Sequence, residues 1–252
     1  MEKTRSTAIV LAAGSGSRMK SNVAKQYMCL CGKPLIWYAL HAIEESSVID
    51  DCILVTGAED ISYVKEEIVT RYGFGKVDAV IAGGKERYDS VYQALRVIAD
   101  GKLAVPNEDG YVFIHDGARP FLTDDIMRRC YEEVELSRAC VAGMPVKDTV
   151  KIANREGYAS QTPDRSFVWQ IQTPQVFNTP IIIEAYEKLM REKDRLSAEK
   201  IRITDDAMVV ETFTDTPVKL VQGSYENIKI TTPDDLMIAE TFVRQNLRKY
   251  FE

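Results

Sequence analysis

Four short apolar runs, TAIVLA (7–12), DCILVT (51–56), VDAVIA (77–82) and YVFIHD (111–116), alternate with helix-like stretches beginning near Pro34, Asp60, Arg87 and Thr123. A strand that is followed each time by a helix-length connection returns to the sheet in the same direction. The order therefore predicts successive βα units feeding a mainly parallel sheet, with helices on both faces. Helix entry is marked at 123–125, where a threonine cap precedes two aspartates, and at TTPDDL (231–236), where Pro233 falls in the first turn. Leu236, Ala239 and Val243 follow at helical spacing and are expected to face the core. A chain of 252 residues buries a sizeable core as one such domain, so one active site is sought.

The alternation breaks after ACVAGMPV. Residues 147–161, KDTVKIANREGYASQ, alternate β-branched and polar side chains around NREG, which predicts a hairpin with too little apolar content to lie inside the domain. The charged stretch EKLMREKDRLSAEK (187–200) is expected to be the solvated end of a helix and a loop. With 32 Lys and Arg against 38 Asp and Glu, a net charge of −6, no global basic field points to nucleic acid. No apolar run is long enough to cross a bilayer and MEKTRS lacks the apolar core of a signal peptide, so a cytoplasmic protein is expected. The five cysteines, Cys29, Cys31, Cys52, Cys130 and Cys140, show no CxxC spacing and meet only two histidines, which argues against a zinc site or a disulfide framework.

The first strand runs into AAGSGSRMKSNVAKQ (12–26). A dinucleotide turn needs a third glycine where Met19 stands, and a Walker loop counted from Gly14 meets the same Met19 at its second glycine. What is left is a run of small residues, Ala12, Ala13, Gly14, Ser15 and Gly16, that lets a ligand approach the backbone and offers amide donors to phosphate oxygens. Arg18 and Lys25 add two cations. Taken alone, a plain βα turn with surface cations explains the stretch equally well.

Loops after parallel strands share one edge of a sheet, so they are compared. GGKERYDSV places Gly83 and Gly84 for close backbone approach and Ser90 where it can donate to a sugar or base, although a turn and helix cap would use the same residues. HDGARP sets Asp116 where a divalent cation would bridge it to phosphates, with Arg119 beside it as an anion partner. His115 is read as structural, its side chain turned into the sheet. Arg165 lies beside two Thr-Pro turns and Lys229 just before the last helix; with Arg18 and Lys25 they would make an anion site if the fold brings them together.

In this order and over nearly the whole chain, LAAGSGSRM, KQY, GGKERYDSV, HDGARP, PVKDTVK, QTPQVF, TDDA and GSYENIKITTPDDL resemble the 2-C-methyl-D-erythritol 4-phosphate cytidylyltransferase family. The resemblance implies a Rossmann-like, doubly wound nucleotidyltransferase fold with an arm at about 145–170 that joins two subunits into a homodimer. It implies attack of a polyol phosphate on the α-phosphorus of CTP, with Mg2+, releasing pyrophosphate. The nucleophile is already ionised, so positioning and charge neutralisation matter more than a histidine base. By the same resemblance Arg18 and Lys25 stabilise the transition state, and Ala12, Ala13, Gly14 and Gly16 contact the triphosphate. Gly83, Gly84 and Ser90 contact cytosine and ribose, Asp116 holds the metal, and Arg165 and Lys229 position the substrate phosphate. Arg119, Thr149 and Thr204 help hold the polyol, with Thr149 and Arg165 serving the partner's site.

Two positions depart from the family pattern. Ala24 stands where proline is common, which would loosen the presentation of Lys25, and Gly117 stands where alanine is usual, which would add backbone freedom beside Asp116. The nearest rival is a ribitol-5-phosphate cytidylyltransferase, which shares the opening loop and the QTPQ and NIKIT elements; PVKDTVK, TDDA and SYENIK favour the isoprenoid enzyme. A catalytically inactive, nucleotide-binding regulator is the rival of another class, weakened because Arg18, Lys25, Asp116, Arg165 and Lys229 are all present. The missing third glycine makes an NAD-linked enzyme the poorest fit.

Overall fold

The structure, a computed structural model, describes residues 3–14 and 24–246. In chain order these form β1 (Ser6–Leu11), β2 (Cys29–Leu30), β3 (Lys33–Pro34), α1 (Leu35–Glu44), β4 (Asp51–Thr56) and α2 (Ile61–Tyr63), which continues as a π-helix over Val64–Thr70. There follow β5 (Val77–Ala82), α3 (Arg87–Ala99), β6 (Tyr111–Asp116), α4 (Asp124–Ser137), β7 (Ala139–Pro145), β8 (Ile152–Ala153), β9 (Ala159–Gln161), β10 (Trp169–Asn178), α5 (Thr179–Ala198), α6 (Asp206–Phe213), β11 (Lys219–Gln222) and α7 (Pro233–Gln245).

Seven strands make one sheet in the order β11-β7-β10-β6-β1-β4-β5. The pairs β1 with β4, β1 with β6, β4 with β5 and β11 with β7 are parallel, and β10 runs antiparallel between β6 and β7. Strand alternation separates two cores. Ala8, Val10, Cys52, Leu54 and Phe113 pack under α1, the π-helix after α2, α4 and α7, while Ile9, Ile53, Val55, Val112 and Ile114 pack under α3, α5 and α6. This is the doubly wound arrangement expected.

The helix starts fall where the capping residues place them. Thr123 Oγ1 accepts from Ile126 N at 3.3 Å, and Thr232 and Asp235 close a reciprocal capping box at α7. Ala239 and Val243 of α7 are buried and Leu236 half-buried against the same core. The stretch 187–200 is helical as far as Ala198: it buries Leu189 and Leu196 and carries the spaced pairs Arg191–Glu187 and Arg195–Glu199 on its outer face. Strands β8 and β9 form the expected hairpin, turned by Asn154 and by Gly157 at φ +88°, a left-handed conformation that favours glycine. Nearly all of it is exposed, including Ile152 and Tyr158, and Phe167 at its base is 83% exposed.

Candidate active site

The sheet places its functional loops by extending strand hydrogen bonding one residue beyond the strands. Ala12 N donates to Val55 O at 2.7 Å, Gly83 N to Thr56 O at 2.8 Å and Gly117 N to Leu11 O at 2.9 Å. The loops after β1, β5 and β6 therefore leave the carboxyl edge side by side and wall a cleft of about 320 Å³. Ala12, Ala13 and Gly14 form one side, Gly84 to Arg87 and Ser90 another, and Asp116, Lys25 and Lys229 close it. Four cations, Lys25, Lys85, Arg87 and Lys229, line the cleft against two carboxylates, Glu86 and Asp116, so a chain of net charge −6 concentrates positive charge here.

Asp116 is the electrostatic centre. Lys229 Nζ lies 2.7 Å from its Oδ2, Arg87 Nε 3.3 Å from its Oδ1, and Arg119 Nε 4.0 Å from Oδ2. Burial by itself would push this carboxyl up, but Arg87, Lys229 and Arg119 together outweigh burial and hold it well below the usual carboxylate range. Arg87 is fixed from behind: its two terminal nitrogens grip Asp206 at 2.8 and 2.7 Å, and the Tyr186 hydroxyl donates to the same carboxylate. Gln175 of β10 then accepts from the amides of Asp206 and Ala207 at 2.9 and 2.8 Å, joining the start of α6 to the sheet.

His115 is structural, as expected. Arg119 O, 3.1 Å away, can only accept, so Nε2 carries the proton; Thr173 Oγ1 then donates to Nδ1 at 2.9 Å and accepts from Asp116 N at 3.1 Å. Burial lowers the ring from 6.5 to about 4 and keeps it neutral. Arg119 donates to Asn227 O at 2.8 Å and more weakly to Ile171 O; its buried Nε makes no hydrogen bond among the described residues.

Gly83 and Gly84 are required first by the protein's own packing. A Cβ on Gly83 would meet Ala13 Cβ at 2.5 Å and Ser90 Oγ at 2.7 Å, and one on Gly84 would meet Asp89 Cβ at 2.3 Å. Ser90 lines the cleft, yet its hydroxyl accepts from Gly84 N at 3.1 Å and donates to Glu86 O at 3.3 Å, which fastens the loop to α3. Gly117 is likewise packed rather than loose, since a Cβ there would meet Ile36 Cδ1 at 2.4 Å and Leu11 O at 3.0 Å. The expected freedom beside Asp116 is absent. Ala24 sits at φ −56°, ψ 134°, values a proline adopts, so its backbone keeps the geometry proline would impose.

Not every expected residue reaches the cleft: Gly83 and Arg119 stand outside its lining. Gly16 and Arg18 lie outside the described residues. Thr149 and Arg165 are exposed at the arm, away from the cleft of their own chain, with Arg165 Nη1 held to Lys147 O at 3.0 Å. Thr204 is exposed and lines a neighbouring cleft that shares Glu86 and Arg87 with the first. Sequence reasoning passed over Lys85, Arg87 and Asp206, although each lies inside a quoted motif, GGKERYDSV or TDDA. A lysine and an arginine directly after a glycine pair at a strand end were the available signal.

A glycine-lined cleft at the carboxyl edge of a doubly wound sheet, rich in cations around one aspartate, has the chemistry to bind a nucleotide's phosphates, as an α/β nucleotidyltransferase must. The family model for 2-C-methyl-D-erythritol 4-phosphate cytidylyltransferase (IspD) matches residues 6–245. The chain belongs to this family. It is 51% identical over 238 residues to the protein of that name from Lachnospira eligens, covering 94% of this chain and 99% of the relative, and 49% identical over 246 residues to that of Lachnoclostridium phytofermentans, covering 98% of each. The crystal structure of 4-diphosphocytidyl-2C-methyl-D-erythritol synthase from Anaerococcus prevotii superposes with a TM-score of 0.79 at 31% identity, covering 96% of both chains.

Proposed function

We propose that the chain transfers CMP from CTP to 2-C-methyl-D-erythritol 4-phosphate, giving 4-diphosphocytidyl-2-C-methyl-D-erythritol and pyrophosphate, in the cytoplasm. The observation that carries this reading is the meeting of Lys25, Arg87, Lys229 and Asp116 in one glycine-lined cleft of a member of this family. The cleft amides after β1 receive the triphosphate, and Lys25, with Arg18, opposes the charge that builds at the α-phosphorus. Lys229 positions the attacking phosphate. Arg119, whose Nη2 contact with Ile171 O is exposed, faces the polyol.

A magnesium ion fits this donor set in one way. Among the described residues no three His, Cys, Asp or Glu gather, and both Asp116 oxygens are engaged by cations, so the ion would be carried chiefly by phosphate oxygens with Asp116 as its protein ligand. Such an ion supplies charge neutralisation at the phosphates. Thr149 and Arg165 stand exposed on the projecting arm, which supports a homodimer in which each arm completes the partner's site.

Turnover of CTP with 2-C-methyl-D-erythritol 4-phosphate and with ribitol 5-phosphate tests the substrate, and preference for ribitol 5-phosphate overturns the reading. Lys25→Ala and Arg18→Ala are each expected to slow pyrophosphate release at least about 100-fold while CTP binding survives. Mixing Lys25→Ala with Arg165→Ala chains tests the shared site, because a mixed dimer regains one intact site; failure to regain activity counts against the arm.

A further inference from the structure

The turn that carries Lys25 is fastened by the two residues after it. Lys25–Tyr27 form one turn of 3-10 helix, closed by Tyr27 N to Ala24 O at 2.9 Å. Gln26, 4% exposed, donates from Nε2 to the carbonyl of Ala12, the first residue beyond β1. The hydroxyl of Tyr27 bonds to Oγ1 of Thr56, the last residue of β4, and its ring stands edge-on to Tyr63 at 5.4 Å. Strands β1 and β4 are parallel neighbours, so two consecutive side chains tie one turn to two adjacent strand ends. The same two ends hold the rest of the cleft: Ala12 N bonds Val55 O, and Thr56 O accepts from Gly83 N.

Packing alone does not call for these groups. A buried amide and a half-buried phenol cost desolvation that apolar residues of similar size would avoid, and their hydrogen bonds return little net stability. Burial also raises the Tyr27 hydroxyl to about 12, so it stays protonated as one half of its bond with Thr56. What the bonds do secure is location. A lysine stem carries about 2 kcal/mol of rotamer entropy, so the placement of its ammonium depends on where its backbone is held. Misplacement by about 1 Å costs phosphoryl-type chemistry up to roughly 100-fold.

We infer that Gln26 and Tyr27 are positioning residues for Lys25, holding its turn against the ends of β1 and β4 so that the ammonium is delivered to the triphosphate. The inference rests on the role given to Lys25 under Proposed function. Tyr27→Phe and Thr56→Val each remove one half of the same bond, and Gln26→Met removes the other tie. Each is expected to lower kcat about tenfold with KM for CTP changed by less than about threefold. The double variant Tyr27→Phe/Thr56→Val is expected to be no slower than either single one. In Lys25→Ala enzyme, whose residual rate is followed in single turnover, Tyr27→Phe is expected to have no further effect. An inactive Lys25→Ala beside unimpaired Tyr27→Phe and Gln26→Met overturns the inference alone. A tenfold loss from Tyr27→Phe that persists in Lys25→Ala enzyme, or one confined to KM, also overturns it. Near-normal turnover by Lys25→Ala overturns the reading and the inference together.

Discussion

Arg87 holds Asp206 through both terminal nitrogens, at 2.8 and 2.7 Å, and this grip sets the angle from which its Nε meets Asp116 at 3.3 Å. Asp206 is fully buried, whereas the Arg87 side chain is 29% exposed toward the clefts, so the aspartate is the fixed member of the pair. Asp206→Asn leaves a guanidinium without its bidentate partner. Breaking a buried pair from one side is expected to cost about 3 kcal/mol, measured by urea unfolding. Turnover is expected to fall at least about tenfold, because Arg87 no longer faces Asp116 at a set angle. Unchanged stability and rate in Asp206→Asn count against the grip.

His115 predicts the direction of a pH effect. The folded ring takes its proton only near pH 4, whereas in the unfolded chain it does so at 6.5. Between these values the unfolded state binds more protons, so acid favours unfolding and stability rises with pH. The contribution is near full above 6.5 and is expected to lose about 2 kcal/mol between pH 7 and pH 5. Asp116, held low by its cations, loses its contribution only below the ordinary carboxylate range, outside this window. Subtracting the unfolding free energies of His115→Gln from those of the natural chain isolates the residue. A flat difference over pH 7 to 5 shows that His115 does not stay neutral in the fold.

Local rules carried much of this fold because they act locally. The capping threonines at 123 and 232 and the apolar runs of β1, β4, β5 and β6 each depend on a few neighbouring residues, and those elements lie where the pattern places them. The cleft was legible where a side chain announces its chemistry, as with Lys25, Asp116 and Lys229. Arg87 was not, since its meaning comes from Asp206, which is 119 residues away in sequence. The roles of Gly83, Gly84 and Gly117 were half legible: their small size was plain, but the Cβ positions of Ala13 and Asp89 and the Ile36 tip that demand it belong to other elements. Sequence spacing carries no record of such encounters.

Gly117→Ala follows from that packing. The added methyl meets the movable tip of Ile36 and the immovable carbonyl of Leu11, so Ile36 can yield and Leu11 cannot. A cost of about 1–3 kcal/mol in unfolding free energy is expected, typical of overpacking a filled core. Ile36→Val removes the tip and is expected to recover part of that loss in the double variant, a coupling that a double-mutant cycle measures. Strict additivity of the two changes places the strain elsewhere.

Ala24→Pro tests the other departure from the family pattern. The backbone at φ −56°, ψ 134° already satisfies the ring, and the turn's carbonyl at Ala24 remains free to accept from Tyr27 N. The substitution therefore acts mainly by narrowing the unfolded ensemble, with an expected gain of about 0.4–1 kcal/mol. Because Gln26 and Tyr27 already fasten the same turn, kcat is expected to stay within about twofold of the natural chain. Thermal unfolding and CTP turnover measured on one preparation check both halves. A loss of stability shows that the Ala24 amide is used as a donor, and a large rise in kcat shows that the natural turn holds Lys25 less firmly than its two side-chain ties indicate.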